Sequence, residues 1–364
     1  MKVNFLDLKG QYHQIKNEVL TAVEDVFENT AFTNGPHVKK FEENFAAYCQ
    51  TKYCSSVNNG TSALHLAMVA LNIGPGDEVI MPANTFIATA WGPAYVGATP
   101  VFVDCDPNTW EIDVEAAEKA ITLKTKAIIG VHLYGKMCDV EALKAICDKH
   151  NIYFVEDAAQ AQGSKYKGVR SGGFGELACF SFYPGKNLGT YGEGGGITTN
   201  NKEYYDRIQK LKNHASEEKY FHQEIGYNMR MGGVEGAVLD IKLRKLDEWN
   251  GRRREIAARY QSEIVSTKIR MQEVGADYES NYHLFVVTVE NREHFMEYLK
   301  ENEIFAGMHY PVSCHLQKAF TYLGYSEGDF PQSEYLAAHC VSLPMYAELT
   351  DEEVSYVIEI VNNY

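Results

Sequence analysis

Two polar residues of this chain stand in segments whose residue types could perform amine chemistry. Asp157 ends the apolar run of residues 152–157 (IYFVED), and Lys186 stands in a Gly-rich turn within residues 180–189 (FSFYPGKNLG). A lysine amine can form a Schiff base with an aldehyde, and a carboxylate can keep a pyridine nitrogen protonated so that the ring accepts electrons. The pair therefore predicts a site for pyridoxal 5'-phosphate, with Lys186 and Asp157 as its catalytic residues.

A third segment has the residue types of an anion site. Gly60, Thr61 and Ser62 follow a short strand-like run and begin a helical stretch. The first backbone N–H groups of a helix have no partner within the helix, so they can bind an anion together with nearby hydroxyls. An ordinary helix cap uses the same residue types. The hydroxyl of Ser181, just before the lysine turn, is a further candidate for this site.

These segments, together with others in the same order, resemble the DegT/DnrJ/EryC1/StrS family of nucleotide-sugar aminotransferases. The matching segments are Asn59–Leu64 (NGTSAL), Thr85–Phe86 (TF), His132–Gly135 (HLYG), Glu156–Ala161 (EDAAQA), Phe180–Gly189 (FSFYPGKNLG), Gly226–Met231 (GYNMRM) and His309–Val312 (HYPV). They extend over nearly the whole chain. The resemblance implies an enzyme with the fold of the type I pyridoxal-phosphate-dependent transferases, similar to aspartate aminotransferase.

The resemblance also implies roles for single residues. The cofactor phosphate would be held by Thr61, Ser62 and Ser181. Phe86 would stack on the pyridine ring, although as a residue type it fits an apolar core equally well, and Gln160 would reach the phenolic oxygen of the cofactor. Asn228 would contact the same phosphate from the neighbouring subunit. The expected active unit is therefore a homodimer whose active sites are shared between subunits.

The lysine loop bears on the expected reaction. Lysine at position 186, where dehydratases of the resembled family have histidine, favours transamination, and the loop form Pro-x-Lys-Asn-Leu-Gly favours C-3 of the sugar. We expect transfer of an amino group from L-glutamate to the C-3 ketone of a dTDP-linked 3-keto-6-deoxyhexose. The alternatives are a C-4 aminotransferase, a UDP-linked substrate, a dehydratase and a non-catalytic regulator that binds pyridoxal phosphate. Candidate substrate contacts are Tyr183, His309 and Tyr310, which have polar tips beside cofactor motifs; buried aromatic residues with satisfied hydrogen bonds are the competing interpretation.

The elements that must position these residues follow an α/β pattern. From residue 53 onward, short strand-like runs alternate with helical stretches, which predicts a mostly parallel central sheet with ligands at the carboxyl ends of its strands. We expect a large cofactor-binding domain over residues 1–250 and a smaller α+β domain over 251–364. A long amphipathic stretch from Val234 to about Ser262, with apolar residues at helical spacing, should link the two domains. In the second domain we expect strands at 284–289 and 305–310, a helix at 293–301 and a terminal helix with a capping box at Thr350.

Composition excludes several classes of partner. The net charge of -15 argues against nucleic-acid binding. The eight cysteines form no C-x-x-C pair, so we expect reduced thiols in a cytoplasmic protein. No run approaches the ~20 apolar residues of a membrane span, and Met1–Asp7 lacks the apolar stretch of a signal peptide. His309 and His315 do not have metal-ligand spacing, so we expect no metal site.

Overall fold

The short apolar runs form a seven-stranded central sheet. The computed structural model describes residues 1–218 and 220–364. The strands are β1 (Tyr53–Val57), β2 (Glu78–Pro82), β3 (Thr99–Val103), β4 (Thr125–Val131), β5 (Tyr153–Asp157), β6 (Lys165–Tyr166), β7 (Val169–Arg170), β8 (Leu177–Ser181), β9 (Gly195–Thr199), β10 (Ser216–Glu218), β11 (Phe221–His222), β12 (Arg270–Met271), β13 (Tyr278–Glu279), β14 (Phe285–Thr288) and β15 (Cys340–Leu343). The sheet order is β1-β9-β8-β5-β4-β2-β3. Strands β3, β2, β4, β5 and β8 are parallel, whereas β9 and β1 pair antiparallel, so the mostly parallel sheet is confirmed.

Both faces of this sheet are covered by helices. The helices are α1 (Leu8–Glu28), α2 (Gly35–Tyr48), α3 (Gly60–Ala70), α4 (Ala88–Tyr95), α5 (Val114–Lys119), α6 (Val140–His150), α7 (Lys202–Leu211), α8 (Gly233–Leu243), α9 (Leu246–Glu263), α10 (Arg292–Glu301), α11 (Pro331–His339) and α12 (Asp351–Asn363). Successive strand residues point to opposite faces. In β2, Val79 and Met81 therefore enter one core, while Ile80 enters another. An apolar residue is needed at each of these positions because neither face meets water.

The predicted amphipathic stretch from Val234 to about Ser262 consists of two helices. Helix α8 ends at Leu243 and α9 begins at Leu246, with a turn in which the Lys245 N–H donates to the Lys242 carbonyl at 2.9 Å. Both helices pack on α1 near the turn, where Val238 of α8 and Trp249 of α9 share one core, whereas Ile256 further along α9 joins a core formed mainly by the last third of the chain. The predicted stretch is therefore helical, but a turn divides it into two helices.

The last third of the chain contains a separate three-stranded sheet in the order β12-β14-β15. Strand β14, helix α10 and the capping box of α12 at Thr350 confirm three of the predicted elements. The strand predicted at 305–310 is wrong. There, Gly307 alone forms a bridge, to Ser342 of β15, while the partner strand of β14 is β15. Val3 hydrogen-bonds Glu303 and Phe305 and lies in the core of this part.

Candidate active site

A cavity of about 440 Å³ opens where the parallel strands of the central sheet end. Nine of the residues singled out in the sequence line it: Thr61, Phe86, Asp157, Gln160, Ser181, Tyr183, Lys186, His309 and Tyr310. Ser62 is buried behind the wall, and Asn228 is exposed outside the cavity of its own chain. Crossover connections place ligands at this edge of an open α/β sheet. The topology therefore collects residues that lie far apart in sequence.

Asp157 is the last residue of β5 and is 6% exposed. One carboxylate oxygen accepts from the Thr89 hydroxyl at 2.7 Å and the other from the Ala159 N–H at 3.2 Å. Burial raises the pKa of Asp157, while these hydrogen bonds and the charge of Lys186 oppose the rise. Each oxygen retains a lone pair for a further donor. A cationic N–H in the cavity would therefore stabilise this carboxylate.

Glu156, directly before Asp157, holds the end of β5 in place through hydrogen bonds. Its buried carboxylate accepts N–H groups from Phe174 at 2.8 Å and Gly175 at 2.9 Å. It also contacts His132 Nε2 at 2.9 Å. Because the Cys138 N–H donates to His132 Nδ1, Nε2 is the donor toward Glu156. Although burial raises the pKa of Glu156, the bond from His132 and the N–H groups of Gly175 and Gly172 hold it below its ordinary value.

Lys186 enters the cavity from the turn between β8 and β9. Its backbone N–H donates to the Tyr183 carbonyl at 2.9 Å. A Cβ on Gly189 would lie 2.5 Å from the carbonyl oxygens of Tyr183 and Pro184, so this turn requires glycine at position 189. Within the described parts of the chain, the Lys186 amine has no hydrogen bond or ion pair. Burial lowers its pKa to about 8, with the charge of Asp157 opposing. An amine whose pKa lies near neutral pH can act as a nucleophile and can exchange protons.

The N-terminus of α3 faces Ser181 across one end of the cavity. Asn59 caps the helix by accepting from the Ser62 N–H at 2.8 Å, which leaves the N–H groups of Gly60 and Thr61 at the free end. A Cβ on Gly60 would lie 2.8 Å from the Ser181 Cβ. This close approach forms a small cradle between helix end and hydroxyl. Its donors suit a phosphate group.

Two aromatic residues and an amide form another part of the cavity wall. The ring of Phe86 is 49% exposed and lies 5.3 Å from that of Tyr310 between centroids. Gln160 accepts from the Tyr134 N–H at 2.6 Å and donates to the Tyr310 hydroxyl at 2.9 Å. Burial raises the pKa of Tyr310. The phenol therefore stays protonated and can donate its own hydrogen into the cavity.

His309 and Tyr183 also line the cavity, and the Tyr183 N–H donates to the Ser181 hydroxyl of the cradle at 3.4 Å. His309 Nδ1 lies 2.8 Å from the Ser342 hydroxyl. Burial lowers the pKa of His309 to about 4, and the charge of Lys186 lowers it further. The imidazole is therefore neutral at physiological pH. Tyr183 is 55% exposed, so its hydroxyl can reach a ligand at the mouth.

Sequence reasoning missed polar residues that the fold brings to the same cavity, namely Glu193, Arg253 and His283. Arg253 lies on the buried face of α9, one turn after Asn250. Asn250 accepts from the Asn187 amide at 2.8 Å, and Asn187 Oδ1 lies 3.2 Å from His283 Nδ1. Asn250 and Arg253 are polar residues on the apolar face of the amphipathic helix α9. This pattern is the feature of the sequence that could have indicated the network.

Other kinds of site are not found in the described residues. They contain no group of three or more His, Cys, Asp or Glu side chains that could hold a metal ion. None of their helices is long and apolar enough to cross a membrane.

The comparisons agree on one family. The model of the DegT/DnrJ/EryC1/StrS aminotransferase family matches residues 13–362. A Geobacillus stearothermophilus protein named pleiotropic regulatory protein is 43% identical over 99% of this chain and 97% of its own. The dTDP-3-amino-3,6-dideoxy-alpha-D-galactopyranose transaminase of Aneurinibacillus thermoaerophilus is 45% identical over 100% of this chain and 99% of its own. The structure of S. venezuelae DesV in complex with a ketimine intermediate has a TM-score of 0.97 and 41% identity, and covers 100% of this chain and 98% of that one.

Solved structures of related proteins include the expected cofactor. A sugar aminotransferase of Streptococcus pneumoniae described in its PLP form is 32% identical, covers 95% of each chain and has a TM-score of 0.90. The predicted cofactor, the aminotransferase activity and the fold are thereby confirmed.

Proposed function

This chain belongs to the DegT/DnrJ/EryC1/StrS aminotransferase family, and we propose that it transfers the amino group of L-glutamate to the C-3 ketone of a dTDP-linked 3-keto-6-deoxyhexose. One observation carries the proposal: the Lys186 amine and the Asp157 carboxylate line the same cavity as the anion cradle at α3. Relatives named as dTDP-3-amino sugar transaminases support the choice of sugar.

The donor set of the cavity fits pyridoxal phosphate. The cradle formed by Gly60, Thr61 and Ser181 would hold its phosphate, Phe86 would cover one face of its ring, and Asp157 would bind the protonated ring nitrogen. The positive charge of that nitrogen offsets the cost of burying the carboxylate. When bound, the cofactor supplies an aldehyde and a ring that accepts electrons.

Lys186 then has two tasks. Its amine, with a pKa lowered to about 8 by burial, is present in part as the free base at neutral pH and would be the nucleophile that holds the cofactor through its aldehyde. While it is not bound, the same Nζ would take a proton from the substrate carbon and return it on the other side of the transfer. The lack of a hydrogen bond to Lys186 in the described residues leaves the amine mobile enough for both tasks.

Three polar aromatic residues of the cavity wall suit a sugar. His309 is neutral, because burial lowers its pKa to about 4, and Tyr310 keeps its hydroxyl hydrogen. Neutral donors and acceptors match sugar hydroxyls better than they match phosphates, which attract cations. Tyr183 at the mouth, with His309 and Tyr310, would orient C-3 toward the reacting centre. A displacement of about 1 Å there can cost ~100-fold in rate.

We propose a homodimer as the active unit. Asn228 is exposed and lies outside the cavity of its own chain, so a second subunit is the route by which it can reach the phosphate site. Closed two-fold pairing is the commonest oligomer. The proposal also includes a cytoplasmic location, which the eight buried and unpaired thiols support.

The test incubates the holoenzyme and L-glutamate with a panel of 3-keto and 4-keto sugar nucleotides bearing dTDP or UDP. We expect 2-oxoglutarate and a 3-amino sugar, identified by NMR, from the dTDP-linked 3-keto sugar. The 4-keto isomer should react only after a ketoisomerase is added. Isomerase-independent amination at C-4 would overturn the regiochemistry. A protein that binds the cofactor but turns over none of the panel would point to a regulator, the role that the name of one relative suggests.

A further inference from the structure

Arg253 places a guanidinium group in the cavity wall without a partner of opposite charge. The residue is 5% exposed. Its Nη1 donates to the carbonyl oxygens of Tyr282 at 3.1 Å, His283 at 3.3 Å and Met345 at 2.7 Å. In the described chain, neither Nε nor Nη2 has a hydrogen bond, and no carboxylate oxygen lies within 4.0 Å of the group. Nη1 thus binds the backbone carbonyl groups, whereas the Nε–Nη2 edge of the guanidinium has no hydrogen-bond partner among the described residues.

That unused edge faces the cavity. Arg253 lines the cavity, and neither Nε nor Nη2 is among the unpaired polar atoms that are fully enclosed by protein. Since the residue is almost wholly buried, the access that these atoms retain is through the cavity. Two parallel N–H groups at the edge of a guanidinium have the geometry that binds both oxygens of a carboxylate.

The surroundings leave the charge of Arg253 largely uncompensated. Burial lowers its pKa to about 10, and the charge of Glu348 opposes this effect from beyond ion-pair distance. Burial itself raises the pKa of Glu348, which weakens it as a counterion. Burial, Lys186 and Arg253 all lower the pKa of His283, so this neutral imidazole lies within the field of both cations. A buried cation without a partner is costly, and an anionic ligand would complete this site.

We propose that the Nε–Nη2 edge of Arg253 binds a carboxylate of the amino donor. The inference rests on the proposed function, in which the donor is the dicarboxylic amino acid L-glutamate. The cofactor phosphate would lie in the cradle at α3, and the diphosphate of the sugar nucleotide is separated from the ketone carbon by the sugar ring. In an amino acid the α-carboxylate is bonded to the reacting carbon itself. A carboxylate site in the same small cavity as Lys186 therefore suits the donor.

The test compares Arg253→Gln and Arg253→Lys with Arg252→Gln in the holoenzyme. Arg252 is the matched control, because it is the adjacent residue of α9 but pairs with Asp351 at 2.6 Å and Glu255 at 3.1 Å on the surface. In single-turnover absorbance measurements, Arg253→Gln should raise the glutamate concentration needed for half-maximal conversion by about 10- to 100-fold. The lysine variant should be intermediate, and Arg252→Gln should be unchanged. The KM for the keto sugar should change by less than about threefold in all three variants.

A second readout requires no turnover. Glutarate, an unreactive dicarboxylate, should bind the wild-type holoenzyme and the Arg252→Gln variant in calorimetry and should fail to bind Arg253→Gln. L-Alanine, which lacks the γ-carboxylate, separates the two carboxylates: if Arg253 binds the α-carboxylate, the variants impair both amino acids, and otherwise they impair glutamate alone. Unchanged glutarate affinity in both Arg253 variants would overturn the proposal. Failure of all keto sugars with normal glutamate conversion would refute the sugar assignment and leave this site intact.

Loss of three backbone hydrogen bonds can prevent the Arg253 variants from folding. A crystal structure of the wild-type holoenzyme with glutarate then decides the question. A glutarate carboxylate within hydrogen-bond distance of Arg253 Nε and Nη2 supports the site, and glutarate bound elsewhere rejects it.

Discussion

The approach of Gly60 to Ser181 makes a sharp prediction about the cofactor cradle. In a Gly60→Ala variant the new Cβ would lie 2.8 Å from the Ser181 Cβ and 3.1 Å from its Cα, so helix end and strand must separate. Overpacking of this kind costs about 1–3 kcal/mol. The apo chain can relieve the clash by separating the two elements, whereas holding a phosphate requires both in place. If this free-energy cost applies to the cofactor-bound state alone, cofactor affinity drops roughly 5- to 150-fold.

The matched control is the same substitution in helix α9. A Cβ on Gly251 would meet only Arg254 Nη2, at 3.9 Å, so Gly251→Ala should stabilise the protein by about 0.5–1 kcal/mol through helix propensity. Cofactor affinity is measured by absorbance titration of the apoprotein, and stability by urea denaturation. The reasoning fails if Gly60→Ala binds the cofactor within twofold of the wild type, or if Gly251→Ala loses affinity to the same degree.

Three further predictions concern protonation, thiols and assembly. Burial lowers the pKa of Lys242 from 10.5 to about 7, so between these values the unfolded chain holds more protons and wild-type stability should rise with pH. Lys242→Met should remove this slope in urea denaturation, and an equal wild-type-to-variant difference at pH 6 and pH 9 would contradict it. Burial raises the pKa of the Cys179 thiol, and all eight thiols are buried. A colorimetric disulfide reagent should therefore react with them only after denaturation, and rapid reaction of the native protein would count against the fold. Mixing inactive Lys186→Ala and Asn228→Ala proteins should restore part of the activity through hybrid dimers, and a fully active monomer would exclude shared sites.

The sequence was sufficient where the position of a side chain depends on neighbouring residues. The Gly-rich turn presents Lys186, the end of an apolar strand presents Asp157, and α3 begins at Gly60, so each motif includes its own local geometry. The parallel sheet was predictable for the same reason, since alternating apolar runs and helical stretches admit few topologies.

It was insufficient where position depends on distant parts of the chain. Arg253 reads as one of three consecutive arginines, and only the packing of α9 separates it from Arg252 on the surface. The expected strand near Gly307 failed because β15, at residues 340–343, takes the place beside β14. Periodicity alone did not divide α8 from α9, since apolar residues on both sides of the turn, such as Leu243 and Leu246, pack in the same core.

The pairing of Val3 with Glu303 and Phe305 has a consequence for how the protein is made on the ribosome. Val3 is buried in a core that it shares with β14, α10 and α12, and Phe5 and Leu6 beside it line the cavity. A nascent chain emerges from its amino end and its domains generally fold in that order, yet the backbone hydrogen bonds of Val3 cannot form until Glu303 and Phe305 have been translated. The strands of the central sheet, the last of which ends at Thr199, are translated earlier, but this wall of the cavity closes only once Glu303 and Phe305 have emerged. Cofactor capture should therefore follow the folding of the last third of the chain rather than that of the central sheet.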